Sequence, residues 1–271
     1  MPALYAHLRF GEQVSQTLPE SLQTILRQYP QAFALGTQGP DILFYHHPLK
    51  KNDIRKYGTA LHARSAYEVF QSASEKYDQT DGAYTSYLCG FLCHFTLDLF
   101  CHPYIDGTMN DALSHGKIES EFDKFLLRKD GKGTRGYNTA TPIRDENGTS
   151  ESASKLLGVP KENISLSIKT MRKINGWFSK KGEFFHCVMH LLLRLAKMER
   201  KFGDMFLHKK DDPLCETPNK VLFEKFEEAK GVANEIIRAY FENLKLKTAL
   251  SSPVFDKYFR FDFSGNLRLE V

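Results

Sequence analysis

Cys93-His94-Phe95-Thr96-Leu97-Asp98-Leu99-Phe100-Cys101-His102 is the stretch that decides the reading of this chain. His94, Asp98 and His102 follow one another at four-residue steps, one helical turn each, and the residues between them are apolar or small. A helix face turned to a core would ordinarily carry Leu or Phe there. Three potential metal ligands on that face need partners, and His115-x3-Glu119 follows closely.

Outward from this run the pattern is helical. Residues 19–29 read as a short helix opened by Pro19 and the acidic Glu20. From 53 to about 77, Leu61, Ala66, Val69 and Phe70 recur at helical spacing. Residues 83–103 are the most apolar segment and are expected to stop at Pro103, and 111 to about 127 form the next helix. The stretch 129–152, rich in Gly, Thr, Asn and charge, reads as a long loop. Residues 183–207 and 218–246 read as long amphipathic helices, and 251–271 as aromatic irregular chain or short strand pieces. No alternating run suits a sheet core, and no internal repeat is found.

Helix geometry constrains what the polar stripe can do. Four residues advance roughly 6 Å and eight roughly 12 Å, whereas bonds from zinc to His or carboxylate are about 2.0–2.2 Å. His94 and His102 are therefore too far apart to share one ion, while Asp98 between them has two oxygens and can bridge. His115 and Glu119, one turn apart, can reach a single ion. Upstream stand His7, Asp41 after the tight Gly39-Pro40 turn, and His62, so that all eight candidate ligands precede residue 120. A lone core histidine is commonplace. A set of His and carboxylates at one-turn spacing is not, and residues 89–103 contain no Lys or Arg to neutralise Asp98. The expected fold is all-α, a multi-helix bundle enclosing a di- or trinuclear metal cluster. It is read as a single domain, 1–271, with a ligand core at 1–128, the loop at 129–152 and a C-terminal helical half at 153–271.

The order His7, Gly39-Pro40-Asp41, His62, His94-x3-Asp98, His102, His115-x3-Glu119 resembles the bacterial zinc-dependent phospholipase C family, which shares an all-α fold with the fungal single-strand zinc nucleases. The resemblance implies zinc, two or three ions per chain. Asp41, His62, His94 and one oxygen of Asp98 would hold the first; His102, His115 and Glu119 the second; His7 and the other oxygen of Asp98 the third. In that family the third ion also takes the amine and carbonyl of a mature N-terminal Trp. This chain has none there, and Pro2, uncovered by removal of Met1, is the candidate that would take its place.

The implied chemistry is attack on phosphorus by a metal-bound hydroxide, with Asp41 orienting the water and Asp98 bridging two ions. The leading function is therefore a zinc-dependent, phospholipase C-like phosphodiester hydrolase acting on a phosphate ester, with phospholipid as a candidate substrate. A nuclease or nucleotidase on the same fold, or a non-catalytic zinc-stabilised helical domain, are the alternatives. Glu119 as last ligand resembles the phospholipases more than the nucleases, which tend to have Asp there.

Composition agrees with a globular protein: 271 residues, 41% hydrophobic and 26% charged, with 21 Phe and 12 Tyr. A net charge of +4 is too mild to argue for nucleic acid, which is not an expected partner. No apolar run is read as a transmembrane segment. The start, Met1 to His7, lacks the form of a secretory signal, and five Cys suggest reduced thiols, so a cytoplasmic location is expected. Cys89, Cys93 and Cys101 read as small buried thiols. His186 and His190 read as ordinary helix positions, and His46 and His47 as rim or solvated loop residues. Phe44, Tyr45 and Tyr104 read as groove lining or packing. Lys129, Lys132, Arg135 and Arg144 read as a solvated basic loop.

Overall fold

A computed structural model describes residues 4–134, 136–179, 210–247 and 249–269, with the single positions 187, 188, 191 and 195. Its helices are α1 (Leu4–Ser15), α2 (Glu20–Gln28), α3 (Pro30–Gly36), α4 (Asp53–His62), α5 (Ala66–Glu75), α6 (Gly82–Thr108), α7 (His115–Lys129), α8 (Thr149–Leu157), α9 (Lys161–Phe178), α10 (Glu216–Leu246) and α11 (Pro253–Tyr258). A 3-10 turn, Gly39–Tyr45, follows α3. Among the described residues no strand forms, and the one isolated bridge pairs Phe261 with Leu267. The fold is all-α, as the sequence implies.

The stripe-bearing segment is the axis of the fold. Asp81 caps α6 by accepting from Tyr84 N–H at 3.0 Å, and every residue from Ala83 to Asp98 is buried. A segment enclosed on all sides needs no polar face, which explains its mostly apolar composition. By length and composition alone α6 could cross a membrane. Here α1, α2, α3, α8 and α10 pack around it, and its polar residues, His94 and Asp98, lie inside.

Caps set the boundaries that periodicity left vague. The 53–77 stretch is two helices, not one. Asn52 caps α4 by accepting from Arg55 N–H at 3.0 Å, and Ser65 caps α5 by accepting from Glu68 N–H at 3.3 Å. Ser114 likewise starts α7 at His115 rather than at 111. Pro103 does not end α6, which runs on to Thr108. A proline removes only its own N–H and crowds the preceding turn; buried Ile105 and the Met109 N–H to Ile105 carbonyl bond hold the turns beyond it. The loop between α7 and α8 matches the expected one closely. Residues 251–271 include the short helix α11 and the bridged segment after it. The helix expected at 183–207 lies almost wholly outside the described residues.

The crossing of α3 and α6 places the site. A Cβ on Gly36 would stand 2.2 Å from the Tyr87 carbonyl, and one on Gly90 would stand 2.3 Å from the Phe33 carbonyl. Backbone meets backbone there, which brings the turn after α3 directly over His94. Replacing Gly90 by Ala should separate the two helices and destabilise the protein by about 3 kcal/mol. Urea denaturation would read this, and a loss below about 0.5 kcal/mol would contradict the packing account.

Candidate metal centre

Each expected ligand arrives from a different local device. His7 lies in the second turn of α1, Asp41 in the 3-10 turn, and His62 is the last residue of α4. His94, Asp98 and His102 project from α6, and His115 and Glu119 from the first turns of α7. All eight converge. They form three groups, each with one donor atom per residue lying within 4.8 Å of the others: His7, His94 and Asp98; Asp41, His62 and His94; His102, His115 and Glu119. His94 therefore stands in two groups, a sharing that its place in the sequence does not reveal. Pro2 lies outside the described residues.

Asp98 is the hub. Its Oδ1 is 3.3 Å from both His7 Nε2 and His102 Nε2, and its Oδ2 is 3.0 Å from His94 Nε2. His62 Nε2 is 3.1 Å from Asp41 Oδ1, and His115 Nε2 is 3.3 Å from Glu119 Oε1. Two donors about 2.1 Å from one tetrahedral ion stand roughly 3.4 Å apart, so these spacings suit shared coordination.

The opposite ring nitrogens support the same conclusion. His94 Nδ1 is 3.2 Å from the Thr37 carbonyl, and His62 Nδ1 is 2.8 Å from the Gly58 carbonyl. A carbonyl only accepts, so each Nδ1 carries the hydrogen, and in the neutral ring Nε2 presents a lone pair to the centre. His115 Nδ1 bonds the Asp106 carboxylate at 3.0 Å in the same manner. Fully buried His94 Nε2 has no hydrogen bond of acceptable geometry, as a coordinating atom would. Gly39, at φ +51, presses the turn onto this ring, since a Cβ there would stand 2.1 Å from His94 Cδ2.

Burial works against charge on all of these groups, yet pairing prevails in most of them. His102, His94 and His7 hold the Asp98 carboxyl well below the usual range despite its burial. Asp41 and Glu119 are lowered too, with His62 and His94 contributing at the first and His115 and His102 at the second. Conversely, Glu119 outweighs burial at His115 and raises it to about 9. His7 goes the other way, lowered by burial and by neighbouring His94. Among the described residues no Lys or Arg ion pair forms with Asp41 or Asp98. The nitrogen and carboxylate donor set fits zinc. Buried Cys89, Cys93 and Cys101 join none of the three donor groups, and burial raises their thiols. Side-chain exposure rises from 0% at His94 to 22% at Asp41 and 34% at His115, so a substrate would approach from those two edges.

Two supporting carboxylates escaped the sequence reading. Asp106 orients His115, and Asp123 accepts from Tyr5 N–H at 3.0 Å and Ala6 N–H at 2.7 Å, holding the start of α1 with His7 against Asp98. The signal was present: Asp106 continues the four-residue steps of α6, and Asp123 those of His115 and Glu119. Of the other candidates, Phe44 stacks on His62 at 5.5 Å, while Tyr45 is buried with its hydroxyl accepting from Asn175. Tyr104 packs half-buried against the core. His46 is buried beside exposed His47, and neither joins a ligand group. Lys129 is exposed with its ammonium over the Phe223 ring, Lys132 is half-buried over Tyr5, and exposed Arg144 faces Glu146 at 3.9 Å. Arg135, His186 and His190 lie outside the described residues.

Two outcomes are expected. Because His115 keeps a proton up to about pH 9 in the metal-free chain, its pairing with Glu119 contributes stability below pH 6.5 that is lost as pH rises through about 9. Zinc must displace that proton at pH 7, so titration calorimetry in two buffers of different ionisation enthalpy should show net proton release that shrinks above pH 9. No release would contradict the assignment. Separately, Gly39→Ala should lower zinc affinity about 10- to 100-fold by displacing His94, read by chelator competition; unchanged affinity would contradict the contact.

No curated protein and no solved structure matches the chain. A family model described as zinc dependent phospholipase C matches residues 6–172, more than half of the chain and every described candidate ligand. The chain belongs to the zinc-dependent phospholipase C family, a family of enzymes.

Proposed function

We propose that this protein is a zinc-dependent hydrolase of phosphodiesters, with chemistry like that of phospholipase C. The observation that carries this reading is the convergence of eight N- and O-bearing side chains, Asp98 among them, into three groups each drawn from two or three elements, in a member of that family. Zinc, when bound, supplies positive charge for a phosphate ester and lowers the pKa of a coordinated water.

The protein's own groups do the rest. Asp98 bridges the groups and fixes their spacing through both oxygens. Asp41, partly exposed and 3.1 Å from His62 Nε2, is placed to orient the attacking water. His94 and His7, fully enclosed, exclude solvent from the inner side. Asp41 and His115 are partly exposed where His94 is wholly enclosed, which favours an open catalytic site over a closed structural one. A lipid or another phosphate diester is the substrate class in this reading.

The test is elemental analysis together with hydrolysis of p-nitrophenyl phosphorylcholine and bis(p-nitrophenyl) phosphate, on wild type and Asp98→Asn. Zinc at two or three ions per chain is expected, with hydrolysis lowered about 1,000-fold in the variant and at least one ion lost. Intact mass of the same sample reads whether Pro2 is the first residue, as its candidate role requires. Zinc without hydrolysis of either diester or of a single-stranded oligonucleotide would favour the structural alternative. Cleavage of the oligonucleotide alone would favour the nuclease.

A further inference from the structure

Residues 259–269 lie outside the matched stretch 6–172 and contribute no ligand. Their backbone nonetheless closes the break between α4 and α5. Phe263 N–H donates to the His62 carbonyl at 3.1 Å, and His62 is the last residue of α4. Ala66 N–H donates to the Phe261 carbonyl at 2.8 Å, and Tyr67 N–H to the Phe259 carbonyl at 2.9 Å, at the first turn of α5. Helix ends leave such groups without intrahelical partners. A five-residue segment satisfies both sides of the break beside a candidate ligand.

The Phe263 side chain continues the contact. Its buried ring stands 5.8 Å from the His62 ring and 6.1 Å from the His94 ring, backed edge-on by Phe95 at 5.2 Å and Phe91 at 5.8 Å. The segment itself is tied down. Buried Asp262 accepts from Ser264 N–H at 2.8 Å, Asn266 N–H at 2.9 Å and Arg268 Nε at 2.8 Å. Gly265 rests so closely on α6 that a Cβ would stand 2.5 Å from Pro103 Cγ. The segment thus spans from the end of α4 to the ligand-bearing turns of α6.

The two histidines need such a span. His94 is fixed by Thr37 and by the pressure of Gly39, whereas the Nδ1 bond of His62 goes to its own helix, so its ring travels with the end of α4. Coordination tolerates only about 0.2 Å of error in a ligand distance.

We infer that residues 259–269 form a positioning element of the metal centre, in which Phe263 sets the distance between His62 and His94. This rests on the zinc reading above. The experiment compares Phe263→Ala and Phe263→Leu with Ile237→Ala, a buried truncation on α10 that serves as a stability control. Zinc retention against a chelator and the visible absorption of the cobalt-substituted protein are the readouts. All three variants should lose thermal stability. Phe263→Ala should lose zinc about 10- to 100-fold more readily and shift the cobalt bands, Phe263→Leu should fall between it and wild type, and Ile237→Ala should match wild type in both. Wild-type zinc retention and cobalt bands in Phe263→Ala, or equal effects in Ile237→Ala, would overturn the inference. If Phe263→Ala does not fold, Phe263→Leu decides, and unchanged cobalt bands in it would overturn the inference. A wild-type chain that takes up no zinc would instead bring down the zinc reading, and this inference with it.

Discussion

A carboxylate buried in the middle of a helical core is the constraint from which the rest of this structure follows. Asp98 is enclosed on α6 with three histidine Nε2 atoms at 3.0–3.3 Å and no Lys or Arg ion pair among the described residues. An isolated charge in such a place would cost several kcal/mol or be neutralised. Here the neighbours keep it ionised. A divalent cation meets the same need with better geometry, because it satisfies the carboxylate and the imidazole lone pairs together.

Placing that carboxylate dictates the surrounding architecture. α6 is buried throughout from Ala83 to Asp98, and its ligands are met from several sides: α1 brings His7, the turn after α3 brings Asp41, α4 brings His62, and α7 brings His115 and Glu119. The devices that hold these elements are backbone devices. They include the Gly36–Gly90 crossing, the left-handed Gly39, the Asp123 clamp on the start of α1, and the closure of the α4–α5 break by residues 259–263. Ligand orientation is thus shared among parts of the chain far apart in sequence.

The ligands were legible because helical spacing translates directly into a face, and because His and carboxylates on an apolar face are costly to bury unless something binds them. Asp106 and Asp123 were equally visible as further four-residue steps, but nothing in the sequence says which carbonyls, amides or imidazoles they will meet. The break after His62 was hidden because apolar residues continue on both sides of it, with Ala66, Val69 and Phe70 at helical spacing beyond, while the Ser65 cap that causes it is one common residue. The passage of α6 through Pro103 depends on packing around Ile105, which is a tertiary fact. Phe263 gave no signal at all: one of 21 Phe, its role comes only from a contact spanning some two hundred residues.

Anomalous diffraction at the zinc edge, from crystals of the zinc-loaded protein, tests the Asp98-centred cluster most directly. Such a cluster requires separate zinc peaks, one beside Asp41, His62 and His94 and another beside His102, His115 and Glu119, with Asp98 between them. Crystals in which zinc sits only on surface residues, or in which Asp98 is surrounded by hydrogen-bonded histidines with no ion after zinc is added, would contradict it and return these side chains to a buried polar network.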